Sequence, residues 1–300
     1  MKTSLAAVAL ALLAGCSKPT GANLDPSLTL LIPPDTTALV CVRFDLLKTA
    51  PVYQKYFANR DIPQIQEFAK TTGVDVKRNL WELLFVSNGT RNMVLGRGMF
   101  SDESEPRLDN LTKQGAKRFP YKGVNFVGDD QHAVMLLSQT VVGVGDTEML
   151  KQAVDAKDTS SGPPPALAAL LKDIPHEAQV WAAYAGGPIK LPFELKGNLA
   201  NVGKLISLLQ QGSLYLDMRM GLKGLVTTIS QNAADSQQIE GAVKGLLGLG
   251  RLSAPANDKD LQRVFDGFRV TQEGVQTKVY IDQPEDQVER LVDLVPGQLQ

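Results

Sequence analysis

The sequence predicts an α+β protein made of two similar halves, each an antiparallel sheet with helices packed on one face. Three observations predict it. First, several segments alternate apolar and polar residues with the period of two that gives a strand one core face and one wet face. Leu214, Leu216, Met218 and Met220, for example, alternate with Ser213, Tyr215, Asp217 and Arg219. Second, stretches with helical spacing lie between these strands. Third, Gly162-Pro163-Pro164-Pro165 interrupts the chain near its middle, where prolines disfavour helix and ladder alike, and the segments on either side follow the same order.

The first half, 28–160, opens with Ile32-Pro33-Pro34-Asp35 and an apolar strand from Ala38 to Phe44. Tyr53, Tyr56 and Phe57, then Ile65, Phe68 and Ala69, predict helical faces. Leu83 to Val86 and Met93 to Phe100 flank Asn88-Gly89, a turn signal that predicts a hairpin. Val141 to Val144 forms a strand, and Asp146 is the expected N-cap of a helix carrying Leu150, Ala153 and Val154 on one face. A connector at 161–166 leads to the second half, 167–300. There Ile174-Pro175-His176-Glu177 precedes a strand from Gln179 to Ala185. Val202, Leu205, Leu208 and Leu209 predict a helix. A hairpin turning at Gly221 to Gly224 follows, with Leu225, Thr227 and Ile229 on its return strand. Val275, Thr277, Val279 and Ile281 alternate, and a helix begins near Pro284 with Val288, Leu291, Val292 and Val295 on one face. The parallel order of elements suggests an internal duplication.

Bulk composition excludes some partners. The 300 residues carry a formal charge of −1, with 43% hydrophobic and 21% charged residues. That is an ordinary globular composition without the basic patch that nucleic acid demands. The N-terminus has the layout of a secretory signal: Lys2, an apolar run from Leu5 to Leu13, and small residues at Ala14-Gly15. The run is too short for a permanent transmembrane helix, and no other stretch reaches the required length. Leu13-Ala14-Gly15-Cys16 resembles the bacterial lipobox. That resemblance implies removal of a signal peptide at 1–15 and lipid on Cys16, so the membrane partner is reached through an N-terminal lipid. Residues 16–27, polar with Gly and Pro, then read as a tether. Ser17 rather than Asp after the lipidated Cys leans toward the outer membrane, facing the periplasm. The remaining thiol, Cys41, lies in the apolar run Ala38 to Val42 and reads as a small buried hydrophobe. Arg43, two residues on, shares its strand face and could activate it.

No motif names a reaction. His132 and His176 are the only histidines, and no metal-ligand spacing is present, so no metal or other cofactor is expected. Nucleophile-elbow and phosphate-loop patterns are absent. Gly96-Arg97-Gly98 and Gly143-Val144-Gly145 lack a dinucleotide-site context and suggest bulges or close backbone packing.

One stretch breaks a local rule. Asp235-Ser236-Gln237-Gln238 reads as a capping box opening a helix with Ile239, Ala242, Val243 and Leu246 as its apolar face. Gly241, Gly245 and Gly248 align on another face of it, each costing about 1 kcal/mol relative to Ala. Either the protein's own sheet packs there, or the helix ends early, or these glycines with Leu249 form a docking face for a partner or lipid surface. The body also resembles, weakly, duplicated bacterial envelope proteins of uncharacterised activity, whose domains open with a turn like Pro34-Asp35-Thr36 before a strand. The reading that follows is a lipid-anchored envelope protein that binds or scaffolds a protein or envelope component without catalysis. Two alternatives stand beside it. One is a carrier of an apolar small molecule or lipid, with Met93, Met99, Met218 and Met220 lining a groove. The other is a hydrolase with a scattered carboxylate site.

Overall fold

The computed structural model describes residues 21–56, 58, 75–100, 109, 111–113, 115–188, 205, 207–255 and 257–294. Among the described residues, twelve strands form one antiparallel sheet. In chain order they are β1 (Ala38–Arg43), β2 (Leu80–Ser87), β3 (Asn92–Gly98), β4 (Lys117–Tyr121), β5 (Val124–Gly128), β6 (His132–Leu136) and β7 (Val141–Asp146), then β8 (Val180–Tyr184), β9 (Leu209–Asp217), β10 (Leu222–Ser230), β11 (Phe268–Glu273) and β12 (Gln276–Gln283). Their order across the sheet is β11-β12-β10-β9-β8-β1-β2-β3-β7-β6-β5-β4.

The sheets expected of the two halves are therefore parts of one continuous sheet. The strands expected to open each half, β1 and β8, pair directly, from Ala38 opposite Tyr184 to Val42 opposite Val180. Outward from this seam the strands run β1-β2-β3-β7-β6 on one side and β8-β9-β10-β12-β11 on the other. Both runs have the spatial order first, second, third, fifth, fourth. A β4–β5 hairpin extends the first run.

Local chemistry explains several elements. Gly89, at φ +89°, turns the β2–β3 hairpin, with Asn88 Oδ1 accepting from the backbone of Thr90 and Arg91. Asp146 caps α5 (Thr147–Ala156) by accepting from Met149 N at 3.1 Å. Gly143 lets that helix approach the sheet. A Cβ there would lie 2.7 Å from Met135 Cε and 2.9 Å from Leu150 Cδ2.

Helices occupy both faces, not one as the sequence suggested. A row of paired residues crosses one face from Phe126 through Met135, Gly143, Leu95, Leu84, Cys41 and Trp181 to Tyr215 and Tyr280. Its apolar part is the main core, closed by α1 (Pro26–Thr29), α5 and α6 (Pro165–Leu171) through Leu28, Met149, Leu150 and Leu167. On the opposite face α2 (Phe44–Leu47) places Phe44 beside Leu83 and Val142 in a smaller cluster. α7 (Ala233–Ser253) also lies there, since Ser236 hydrogen-bonds Thr277, whose side chain alternates away from Tyr280. α3 (Pro51–Tyr56) and α4 (Val76–Asn79) precede β2, α8 (Lys259–Asp266) precedes β11, and α9 (Glu285–Leu294) follows β12.

Three further expectations change. Residues 22–27, expected within a tether, are held by the body: Ala22 N donates to Leu171 O at 2.8 Å, Asp25 caps α1, and the following Leu28 is fully buried. Leu209 begins a strand rather than ending a helix. The β9–β10 turn falls at Met218 to Gly221, three residues earlier than the expected Gly221 to Gly224. Cys16, Ile65, Phe68, Val202 and Val295 lie outside the described residues.

Candidate functional site

The predicted docking residues sit on α7. Its true cap is Asn232, whose Oδ1 accepts from Asp235 N at 2.9 Å and whose amide donates to Asp235 Oδ2 at 2.9 Å. The helix thus starts before the expected capping box and runs through all four glycines to Ser253. Ser236 and Ile239 are its buried residues. Among the described residues, a Cβ on Gly241, Gly245 or Gly248 would meet no atom within 4 Å, so neither the described sheet nor a helix end accounts for them. Gly250 differs, because a Cβ there would lie 2.5 Å from the Phe265 ring of α8. Beside the open glycines, Leu246 and Leu249 are exposed, the latter at 64%, and Leu252 at 84%. The result is a helix face that combines a flat groove with unburied leucines.

A second cluster escaped sequence reasoning. Arg43, Glu82 and Arg97 stand side by side on β1, β2 and β3, on the core face. Glu82 is completely buried. Its Oε1 accepts from Asp25 N at 3.4 Å and lies 3.6 Å from Cys41 Sγ, while Oε2 is 3.3 Å from Arg97 Nε. Arg97 also pairs with Asp25 at 3.2 Å and covers the Trp81 ring at 5.2 Å. Arg43 grips Asp45 with two donors, at 3.0 and 2.7 Å, and donates to Asn23 O at 3.3 Å. Burial raises the Glu82 carboxyl above its ordinary value, with Arg43 and Arg97 opposing incompletely. For Asp45 the burial effect is outweighed by the Arg43 hydrogen bonds and charge, and its carboxyl is lowered.

This arrangement decides the role of Cys41. Burial, then the adjacent Glu82 charge, push its thiol well above the ordinary range. Arg43 does not activate it, because that guanidinium is committed to Asp45. A thiol kept protonated and dry is no nucleophile. The cluster instead pins Asn23 and Asp25, just before α1, to three central strands.

The remaining sequence candidates do not converge. Met93 is buried in the core, Met99 and Met220 are exposed, and Met218 is partly buried near the β9–β10 turn, so they line no common groove. A pocket of about 680 Å³ is lined by Gln210, Gln211 and Gln231 with Tyr184, Gly186 and Gly187, and by none of these methionines. His132 is exposed at the start of β6, and His176 is half-buried before β8. Among the described residues no three His, Cys, Asp or Glu side chains are grouped to hold a metal, and no helix is long and apolar enough to cross a membrane.

Comparison with known proteins places the fold. No protein-family profile matches the chain, and no curated protein matches it. The structure is similar to crystal form III of TP0453, an envelope lipoprotein of the bacterium Treponema. The TM-score is 0.52 at 12% identity, over 91% of this chain and 98% of that one. Crystal form I of the same protein superposes with a TM-score of 0.46, also at 12% identity and over the same shares of both chains. At this identity the likeness is one of fold.

Proposed function

We propose that this chain is a bacterial envelope protein, held to a membrane by lipid on Cys16, whose duplicated α+β body binds a protein or envelope component without catalysis. The observation that carries the binding role is the face of α7. Three glycines, each disfavoured in a helix, have open space about them among the described residues, beside the exposed Leu246, Leu249 and Leu252. A surface that forgoes stability to stay flat and apolar suits close approach by another surface. The likeness to TP0453 is compatible with an envelope role, and the equal strand order on either side of the β1–β8 seam supports duplication. We place the body at the outer membrane, facing the periplasm, on the strength of Ser17 after the lipobox cysteine.

The test uses the full-length protein in its bacterial host. Labelled palmitate should enter the wild type and not Cys16→Ala. A photo-crosslinking residue at Leu249 should give one discrete adduct, lost when Leu246→Asp and Leu252→Asp are added. The same residue at Met99, exposed in the other half, should give none. An unlabelled wild type would overturn the anchor. Absence of any adduct at Leu249, or turnover abolished by one polar substitution, would overturn the binding role.

A further inference from the structure

The two outer edges of the sheet differ. β4 is protected: Pro120 cannot donate to a ladder, and Lys117 and Arg118 are exposed charges, devices that keep an edge from pairing. β11 carries no proline and, among the described residues, pairs only with β12. Asp282 N donates to Gly267 O across that pair, so the odd-numbered positions of β11 bond inward. The N–H and C=O groups of Phe268, Val270 and Gln272 consequently point outward from the edge.

We propose that β11 pairs antiparallel with β11 of a second copy of this chain, in a register centred on Thr271. Two independent requirements select that register. Outward-pointing groups must meet each other, and centring on Thr271 sets Val270 opposite Gln272 of the second copy, both outward. Charges must complement, and the same register sets Arg269 opposite Glu273, twice by symmetry and on the same face. Neither charge has an ion-pair partner among the described residues. Arg269 lies over the Tyr280 ring at 3.9 Å, and both it and Glu273 are exposed. Shifting the centre by one residue to Val270 or Gln272 keeps the hydrogen-bond parity but breaks both charge pairs. Thr271 then faces Thr271 at the dyad, a favourable cross-strand pair. The dyad runs along the sheet normal and extends the sheet to both copies. It keeps both copies of α7, which packs on β11, on one face, and both N-terminal segments on the same side of the sheet.

The experiment places Thr271→Cys in the full-length chain in its membrane. Thr271 and its copy form a non-hydrogen-bonded pair with Cα atoms about 4.5 Å apart, within disulfide reach. The variant should give a reducible dimer on mild oxidation, whereas Val270→Cys, two positions out of register with its own copy, should not. In density-matched detergent the wild type should sediment as a dimer. Arg269→Glu should weaken it roughly tenfold or more, and adding Glu273→Arg should restore it. Circular dichroism of each variant checks folding. A folded wild type that stays monomeric, a folded Thr271→Cys that does not bridge, or a dimer indifferent to Arg269→Glu would each overturn the register. The readout does not depend on Cys16 or on the α7 face, so failure here is distinct from failure of the proposed function.

Discussion

Replacing Gly241, Gly245 and Gly248 together with Ala should stabilise the folded chain. All three are helical, their φ angles are outside the left-handed region, and their added methyl groups meet nothing within 4 Å among the described residues. The gain is then the difference in helix propensity, about 0.8–1.0 kcal/mol per site, or roughly 2.5 kcal/mol for three independent exposed positions. For a cooperative chain of this length that corresponds to a rise in Tm of about 4 °C. Urea unfolding followed by circular dichroism measures it as a higher midpoint with an unchanged slope. Gly250→Ala is the internal contrast: its methyl would meet the Phe265 ring at 2.5 Å and should cost about 1–3 kcal/mol. A triple variant that loses stability would show that another backbone covers this face, and the reasoning for an open groove would fail. A triple variant that is more stable yet loses its crosslinked partner would show what the glycines are kept for.

Other consequences follow from the buried cluster. Glu82→Ala should cost about 3 kcal/mol, because Arg97 and Arg43 stay in the core with only Asp25 and Asp45 to hold them; a change below 1 kcal/mol in urea unfolding would refute this. The pH dependence has two opposite parts. Glu82 is raised, so its contribution is present below its ordinary value of 4.5 and lost as pH rises through the folded value, and Glu82→Gln should remove that loss. Asp45 is lowered, so its contribution is present above its ordinary value of 3.8 and lost as pH falls through the folded value; Asp45→Asn should flatten that acid limb, and unfolding curves from pH 3 to 7 would show both. Cys41 should resist maleimide in the folded chain and react fully in denaturant, and stoichiometric labelling under native conditions would contradict its burial.

What the sequence made legible was local. Asn88-Gly89 announces its hairpin and Asp146 its helix because turn and cap chemistry act within four residues. The alternation read at Leu214 to Met220 and Val275 to Ile281 marks strands for the same reason, although β9 ends at Asp217, before Met218 and Met220, and β12 begins at Gln276, after Val275. The β1–β8 seam was not legible, since either strand could have found another neighbour without changing its own pattern. Nor was the charge cluster, whose members come from three strands and an N-terminal segment and meet only through register. One signal was present: Glu82 shares a strand face with Leu84 and Val86, and a carboxylate at a core position demands partners. The start of α1 inside the expected tether had a signal too, as Asp25-Pro26 is a cap followed by proline at the first helical position. On α7 the cap is Asn232, three residues before Asp235, and its Oδ1 accepts from the Asp235 amide.

The position of β1 has a mechanical consequence. A pull on the N-terminus does not peel an edge. Past the Ala22–Leu171 hydrogen bond it meets Asn23 and Asp25, clamped by Arg43, Glu82 and Arg97, and then a strand ladder-bonded on both sides along its length. Bonds loaded in shear on two flanks must break together rather than one after another. Tension applied at that end would therefore be spread into the middle of the sheet, and would have to overcome both flanks of β1 before either half of the molecule came free.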